Sequence, residues 1–137
     1  MTKLFLSTND RNLLDIILQE LSDNAKYSIT IEGLLRKWQS FVQEVTRGYS
    51  DSIYEYQNDL SAREILQTLI SKTNENIANY INSHISDSDV CFKESTRIIT
   101  KSLRNKPLVE DNWWWYRIPK KMKGDIEKDL LSEGIIE

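Results

Sequence analysis

The scarcity of turn-forming residues is the strongest constraint on this chain, because 137 residues include only 4 Gly and 2 Pro. Tight β-hairpins favour glycine, so we expect few of them. Apolar residues recur at intervals of three and four along most of the chain, which is the period of an amphipathic helix. The sequence predicts an all-α fold, a single-domain irregular bundle of six to seven helices over residues 1–137.

Capping residues beside the apolar stripes place the first three helices. We expect the first over about residues 9–21. The second follows Thr30 as its N-cap and ends near Gly48, where a left-handed residue is favoured. The third begins at Ser61, because Ser61 and Glu64 match a capping box.

The remaining helices follow from similar signals. A fourth is expected after a break at residues 73–74, and a fifth follows an acidic cap at residues 87–89 and ends at Pro107. The last stops at Gly134 and carries the apolar positions Ile126, Leu130 and Leu131. Residues 1–6 have an alternative interpretation as a short strand, since their apolar run is too short for its period to be read.

Composition excludes several protein classes. With 39% apolar and 28% charged residues, the chain is neither disordered nor collagen-like. The longest apolar run, residues 113–116, is far shorter than the roughly 20 residues of a membrane span. The first residues lack the pattern of a charged and then apolar leader, so we expect no signal peptide and a cytoplasmic protein. One cysteine, Cys91, and one histidine, His84, leave no disulfide and too few ligands for a transition metal.

No catalytic motif is present. Nucleophilic catalysis pairs Ser, Thr or Cys with a base, yet His84 stands alone and there is no Gly-x-Ser-x-Gly elbow. The four glycines are too far apart to form a phosphate-binding loop. Carboxylate-only catalysis stays open among 21 acidic residues, but no Glu-x-x-His pair accompanies them. We expect a protein that is not an enzyme and has no cofactor.

Charge is unevenly distributed along the chain. Residues 1–92 hold 8 basic and 13 acidic side chains, a net charge of −5, and residues 124–137 carry a net charge of −4. Residues 93–123 hold 9 basic and 3 acidic side chains, a net charge of +6. Such asymmetry commonly marks a surface that meets a charged partner, although mixed charges also keep helices soluble.

The basic and aromatic segment 93–123 supports one functional alternative, a nucleic-acid-binding regulatory protein. Its first four cations are spaced to share one helix face: Lys93, Arg97, Lys101 and Arg104. The adjacent aromatic run 113–116 could stack bases, but if that run is extended, two of its side chains enter the core instead. The sequence pI of 5.3 argues against nucleic acid as the partner.

A polar, tyrosine-rich segment, residues 49–59, is the main candidate for a binding surface. It holds three tyrosines and three carboxylates with a single aliphatic residue, and it supplies the predicted contact patch: Tyr49, Asp51, Tyr54, Glu55, Tyr56 and Asp59. If this segment is helical, its carboxylates form one negative ridge that suits a basic partner. The alternative is that Ile53, Tyr56 and Leu60 face inward while the other side chains are solvated.

Taken together, the small acidic helical chain, this segment and the aromatic run 112–119 resemble bacterial immunity proteins of contact-dependent inhibition and polymorphic-toxin systems. The resemblance lies in the composition of the whole chain, and no diagnostic residues are carried over from these families. It implies a cytoplasmic antidote that binds one toxin domain, often a nuclease with a basic active-site cleft, and covers it. No membrane partner is expected.

Overall fold

The computed structural model describes residues 5–25, 28–103 and 110–136. The elements in chain order are α1 (Thr8–Ala25), α2 (Ile31–Arg47), α3 (Ile53–Lys72), α4 (Glu75–Ser95), β1 (Thr96–Ile98), a 3-10 helix (Glu110–Tyr116), β2 (Arg117–Pro119) and α5 (Asp125–Ser132). The mostly helical fold is confirmed, but the predicted count of six to seven helices is wrong. The described residues form five α-helices, and they also form a small sheet that the sequence did not predict.

Helix α2 follows the sequence prediction at both ends. Thr30 Oγ1 accepts a hydrogen bond from the N–H of Gly33 at 3.0 Å, as an N-cap should. Gly48 terminates the helix with a φ of 126°, which a side chain rarely tolerates. The predicted break before α4 is also present, because Asn74 Oδ1 caps that helix by accepting from the N–H of Ile77 at 2.9 Å.

Helix α3 begins eight residues before the predicted start at Ser61. Ser52 is its N-cap, and Ser61 lies in the helix interior, where its hydroxyl donates to the carbonyl of Gln57 at 3.0 Å. The buried positions keep three- and four-residue intervals through Arg63, but the buried side drifts around the helix axis along its length. The buried apolar positions are Ile53, Tyr56 and Leu60 in the first half, then Ala62, Leu66 and Leu69 in the second.

The predicted acidic cap at residues 87–89 is wrong, because α4 continues through it to Ser95. Asp89 instead faces the interior: its Oδ1 accepts from Trp38 Nε1 at 2.9 Å and from Arg63 Nε at 3.0 Å. Its Oδ2 accepts from Arg63 Nη2 at 2.8 Å. The guanidinium of Arg63 also lies 4.8 Å from the ring centroid of Trp114. This buried ion pair therefore ties α2, α3, α4 and the 3-10 helix together.

The chain leaves the helical conformation at Thr96, so the fifth helix predicted between the cap at residues 87–89 and Pro107 does not form, and residues up to Ser95 belong to α4. Thr96 Oγ1 donates to the carbonyl of Phe92 at 2.6 Å, and Arg117 Nη1 donates to the carbonyl of Lys93 at 3.1 Å. Both bonds satisfy carbonyl groups in the last turn of α4. Because the helix ends there, Lys93, Arg97 and Lys101 do not line one helix face. Arg104 and Pro107 lie outside the described residues.

Strands β1 and β2 pair antiparallel, with Arg97 opposite Ile118. The aromatic run before β2 is a 3-10 helix, so the expectation of an extended segment is wrong. The core role of two of its members is confirmed: Trp114 and Trp115 are buried, and Trp115 Nε1 donates to Glu64 Oε1 at 3.2 Å.

Residues from all the helices and from β2 contribute to one hydrophobic core. Its aromatic centre is formed by Trp38, Phe41 and Phe92, whose ring centroids are 5.0 to 5.9 Å apart. In α5, Ile126 is buried as predicted, whereas Leu131 is 47% exposed. The alternative strand at residues 1–6 lies mostly outside the described residues.

Within the described ranges, the helices are too short or too polar to cross a lipid bilayer.

Candidate functional site

Two tyrosines of the predicted contact patch are buried in the core. Tyr49 and Tyr56 have no exposed surface, and their ring centroids lie 5.2 Å apart. Phe41 packs edge-on against both rings, at 5.8 Å and 5.3 Å. The interpretation of these two phenols as surface contacts is therefore corrected, and the alternative in which Tyr56 faces inward is the one observed. The sequence could not show that Phe41, on another helix, covers them.

The hydroxyl groups of the buried tyrosines have internal partners. Tyr56 donates to the carbonyl of Arg117 at 2.8 Å, and Tyr49 donates to Asp59 Oδ2 at 3.4 Å. Burial raises the pKa of both phenols, and the nearby Asp59 carboxylate raises that of Tyr49 further. Burial also raises the pKa of Asp59 to about 6. Asp59 therefore belongs to the framework beneath the surface more than to a contact patch.

The other three predicted residues are exposed and close together at the start of α3. Tyr54 is 70% exposed, which is unusual for an aromatic side chain of its size. Asp51 and Glu55 on either side of it in sequence are exposed as well. The predicted negative ridge is wrong in its geometry, because Asp51 precedes the helix and Asp59 is partly buried. A smaller anionic surface around Tyr54 remains.

Helix α5 holds this end of α3 in place. Ser52 Oγ accepts from the N–H of Glu55 at 3.2 Å, and Asp129 Oδ2 accepts from the N–H of Ile53 at 3.0 Å. Two N–H groups of the first turn are thereby satisfied. Because both contacts involve the backbone of α3, they fix the direction in which Tyr54 leaves the helix.

The same packing adds a carboxylate that the sequence prediction missed. The N–H of Asp125, the first residue of α5, donates to the carbonyl of Ser50 at 3.3 Å, so α5 begins beside residue 51. Asp125 is exposed. The net negative charge of residues 124–137 was visible in the sequence, but its position beside α3 was not. We name the resulting surface the Tyr54 face: Asp51, Tyr54, Glu55 and Asp125.

The electrostatics of the Tyr54 face are those of unpaired surface carboxylates. None of its three carboxylates forms an ion pair with a residue that the structure describes. Asp51 Oδ1 accepts from the N–H of Ser52 at 2.7 Å, and Glu55 lies in the first turn, where a helix dipole favours negative charge. Each of these two carboxylates therefore stabilises the helix start, and each still has oxygen lone pairs directed to solvent.

The residues of the basic segment 93–123 are placed differently from the prediction. Trp114 and Trp115 are buried, and Lys93 Nζ lies 4.5 Å from the ring centroid of the half-buried Trp113. The aromatic rings are therefore not arranged as an open platform for stacking bases. Like Lys93, Lys101 is exposed, and its Nζ donates to the carbonyl of Glu133 at 3.3 Å. The other exposed cations of the described part of this segment are Arg97, Lys120, Lys121 and Lys123.

The two residues with reactive side chains lie in α4. His84 is half-buried, and its ring centroid is 4.6 Å from that of Tyr80. Cys91 is half-buried near the end of α4, with its Sγ 3.3 Å from Thr46 Oγ1, whereas the sequence placed it in the first turns of a helix. Among the residues that the structure describes, no three His, Cys, Asp or Glu side chains are grouped so as to hold a metal ion.

Comparison with known proteins gives no match: no family model, no curated protein and no solved structure is similar to this chain. The resemblance to immunity proteins therefore stays a prediction. The Tyr54 face and the charges around it are the features that bear on function.

Proposed function

We propose that this chain is a protein-binding inhibitor, an immunity protein that acts in the cytoplasm by covering the basic active-site cleft of a toxin domain. The cleft we infer is that of a nuclease, whose substrate is itself an anion. The chain transforms no substrate in this proposal and needs no cofactor. Its contact surface is the Tyr54 face.

The exposure of Tyr54 is the observation that carries the proposal. Tyrosine is enriched among the residues that dominate binding energy in protein interfaces, because its ring is large and rigid and its hydroxyl forms hydrogen bonds. In this fold, Tyr54 contributes little to the core, while the two neighbouring tyrosines of the segment are fully buried. An exposed phenol on a well-anchored helix start is suited to contact a partner with little loss of conformational entropy.

The charges around Tyr54 support a basic partner. Asp51 and Glu55 are exposed near Tyr54 in sequence, and the exposed Asp125 begins α5 beside Ser50. Opposite charges on a partner accelerate association by roughly 10- to 1,000-fold through electrostatic steering. Once bound, carboxylates in a nuclease cleft would occupy the positions that substrate phosphates take. Steric exclusion of the substrate then follows from the bulk of α3 and α5.

In-cell cross-linking tests this proposal and identifies the partner in the same experiment. Tyr54 is replaced by photoreactive benzoylphenylalanine, and the chain is expressed and irradiated in its native host. The matched control places the same residue at Asn79, an exposed position of α4. We expect the Tyr54 variant to attach to one protein with a basic domain, and the Asn79 variant not to do so. We also expect equimolar wild-type chain to inhibit the isolated basic domain.

Any one of three results would contradict the proposal. The first is that the Tyr54 variant yields no adduct, and the second is that both variants capture the same proteins equally. The third is that the captured domain keeps its activity in the presence of the chain.

The second candidate function, nucleic-acid binding, is favoured by one observation. The cations exposed on and beside the sheet, Arg97, Lys120, Lys121 and Lys123, form no ion pair with a described residue. Filter-binding titrations with single- and double-stranded DNA and RNA separate the two functions. A regulator that contacts several phosphates binds with an affinity that falls steeply as salt rises. The inhibitor we propose gives no such binding.

A further inference from the structure

Helix α1 exposes apolar side chains on the side that faces away from the core. Leu14 and Leu18 anchor the helix and are buried, whereas Ile16 is 62% exposed and Leu13 is 39% exposed. Ile16 and Leu13 are three residues apart and therefore adjacent on one face. They form a small apolar patch rimmed by polar residues, the arrangement that interaction surfaces show on a larger scale.

The polar residues around Ile16 are arranged symmetrically. Asn12 and Glu20 lie four residues before and after Ile16, and Asn9 and Asp23 lie seven residues before and after it. These intervals place all five residues on one stripe of the helix. The side chains are all exposed, with amides in the first half and carboxylates in the second. Reversing the direction of the helix about Ile16 therefore exchanges each amide with a carboxylate.

We propose that this face binds a second copy of the same chain, with the two α1 helices antiparallel and a two-fold axis through Ile16. In that arrangement Ile16 meets Ile16 of the second copy. Asn12 lies level with Glu20 of the second copy and Asn9 with Asp23, so amide N–H groups meet carboxylate oxygens. The opposed helix dipoles also favour the antiparallel direction.

The carboxylates of α1 select the antiparallel direction for such a pair. A parallel pair would bring Glu20 and Asp23 against the same carboxylates of the second copy, which is repulsive. The antiparallel pair separates the carboxylates to opposite ends and leaves the aliphatic side chains at the centre. The amides of this surface therefore face the carboxylates of the same surface on the second copy, as an isologous interface requires.

The size of the face sets the strength of the dimer. An 18-residue helix is about 27 Å long at 1.5 Å per residue, so a single helix pair buries less than the roughly 1,200 Å² of a stable interface. We therefore expect a reversible dimer with a dissociation constant on the order of 100 µM. The Tyr54 face lies at the starts of α3 and α5 and takes no part in it.

Disulfide trapping tests both the contact and its direction. Facing Cα atoms of two helices packed 8–10 Å apart lie about 3.5 to 5.5 Å from each other, which overlaps the range of roughly 4.4 to 6.8 Å that a disulfide spans. In a Cys91→Ser background, we expect Ile16→Cys to form a covalent dimer about tenfold faster than Asn79→Cys, an exposed control on α4. Asn9→Cys mixed with Asp23→Cys should cross-link, whereas Asn9→Cys alone should not. Equal rates for the positions 16 and 79, or self-cross-linking of Asn9→Cys, would overturn the proposal.

Sedimentation of unmodified protein gives a second readout that needs no cysteine. Between about 10 and 500 µM, we expect the average mass to rise above the 16.1 kDa of the single chain. Ile16→Lys should abolish this rise, and Val90→Lys, at an exposed aliphatic position of α4, should preserve it. A mass of 16.1 kDa at every concentration, or an equal effect of the two lysine substitutions, would overturn the dimer.

Discussion

Replacement of Asp89 by alanine tests the buried ion pair that joins the helices. Asp89 accepts three hydrogen bonds, two from Arg63 and one from Trp38, and the side chains of Arg63 and Asp89 are only 5% and 18% exposed. Removal of one member of a buried pair leaves the other charge unpaired, which costs about 3–5 kcal/mol. Because Asp89 retains some contact with water, we expect the lower end, about 3 kcal/mol. At about 3–4 °C per kcal/mol for a chain of this length, the melting temperature falls by about 9–12 °C.

Urea unfolding followed by circular dichroism measures this loss, and Asp87→Ala is the matched control. Asp87 is exposed on the same helix, so its replacement should change the free energy of unfolding by no more than about 0.5 kcal/mol. The apolar double variant Arg63→Met/Asp89→Leu should be more stable than Asp89→Ala, because it leaves no charge buried alone. A loss of about 1 kcal/mol for Asp89→Ala, the value typical of a helix cap, would refute the reasoning.

Two further predictions concern α3 and the residues beneath the Tyr54 face. The pKa of Asp59 is near 6 in the folded chain against 3.8 ordinarily, so the folded state binds this proton more tightly. Its contribution to stability is therefore most favourable at low pH and is lost as pH rises through 6, and Asp59→Asn should flatten the dependence of melting temperature on pH between about 4 and 7. An unchanged pH profile would contradict this. In urea unfolding, Ser52→Ala should lower the free energy of unfolding by about 1 kcal/mol, because Ser52 caps the helix. Ser61→Ala should lower it by less than about 0.5 kcal/mol. The reverse order would place the start of the helix at Ser61.

Local sequence signals predict α2 well because everything that defines it lies within the helix and its flanks. Its apolar stripe keeps one face throughout, and Thr30 and Gly48 mark its ends. The start of helix α3 is predicted wrongly because the buried side of this helix drifts around its axis, and a capping-box pattern happens to occur at Ser61. A pattern rule that assumes one buried face interprets such a helix as two.

The candidate site is predicted only in part for a related reason. Tyr54 and Tyr56 are two residues apart in a polar segment, and composition does not distinguish them. The spacing of Ile53, Tyr56 and Leu60 offered an inward-facing Tyr56 only as one of two alternatives. The difference arises from Phe41 and from the carbonyl of Arg117, which lie far from the segment in sequence. Asp125 joins the surface through a backbone contact with Ser50 that no local pattern encodes.

The most direct test of the inhibitory role is a titration of the captured toxin domain with variants of the Tyr54 face. We expect Tyr54→Ala combined with Glu55→Ala to weaken inhibition at least about 30-fold, the equivalent of about 2 kcal/mol for an interface anchor. Glu75→Ala, which removes an exposed first-turn glutamate from α4, should inhibit as the wild type does. Added salt should slow association of the wild type more than that of the double variant. If the double variant inhibits as strongly as Glu75→Ala, the toxin is not bound through this face.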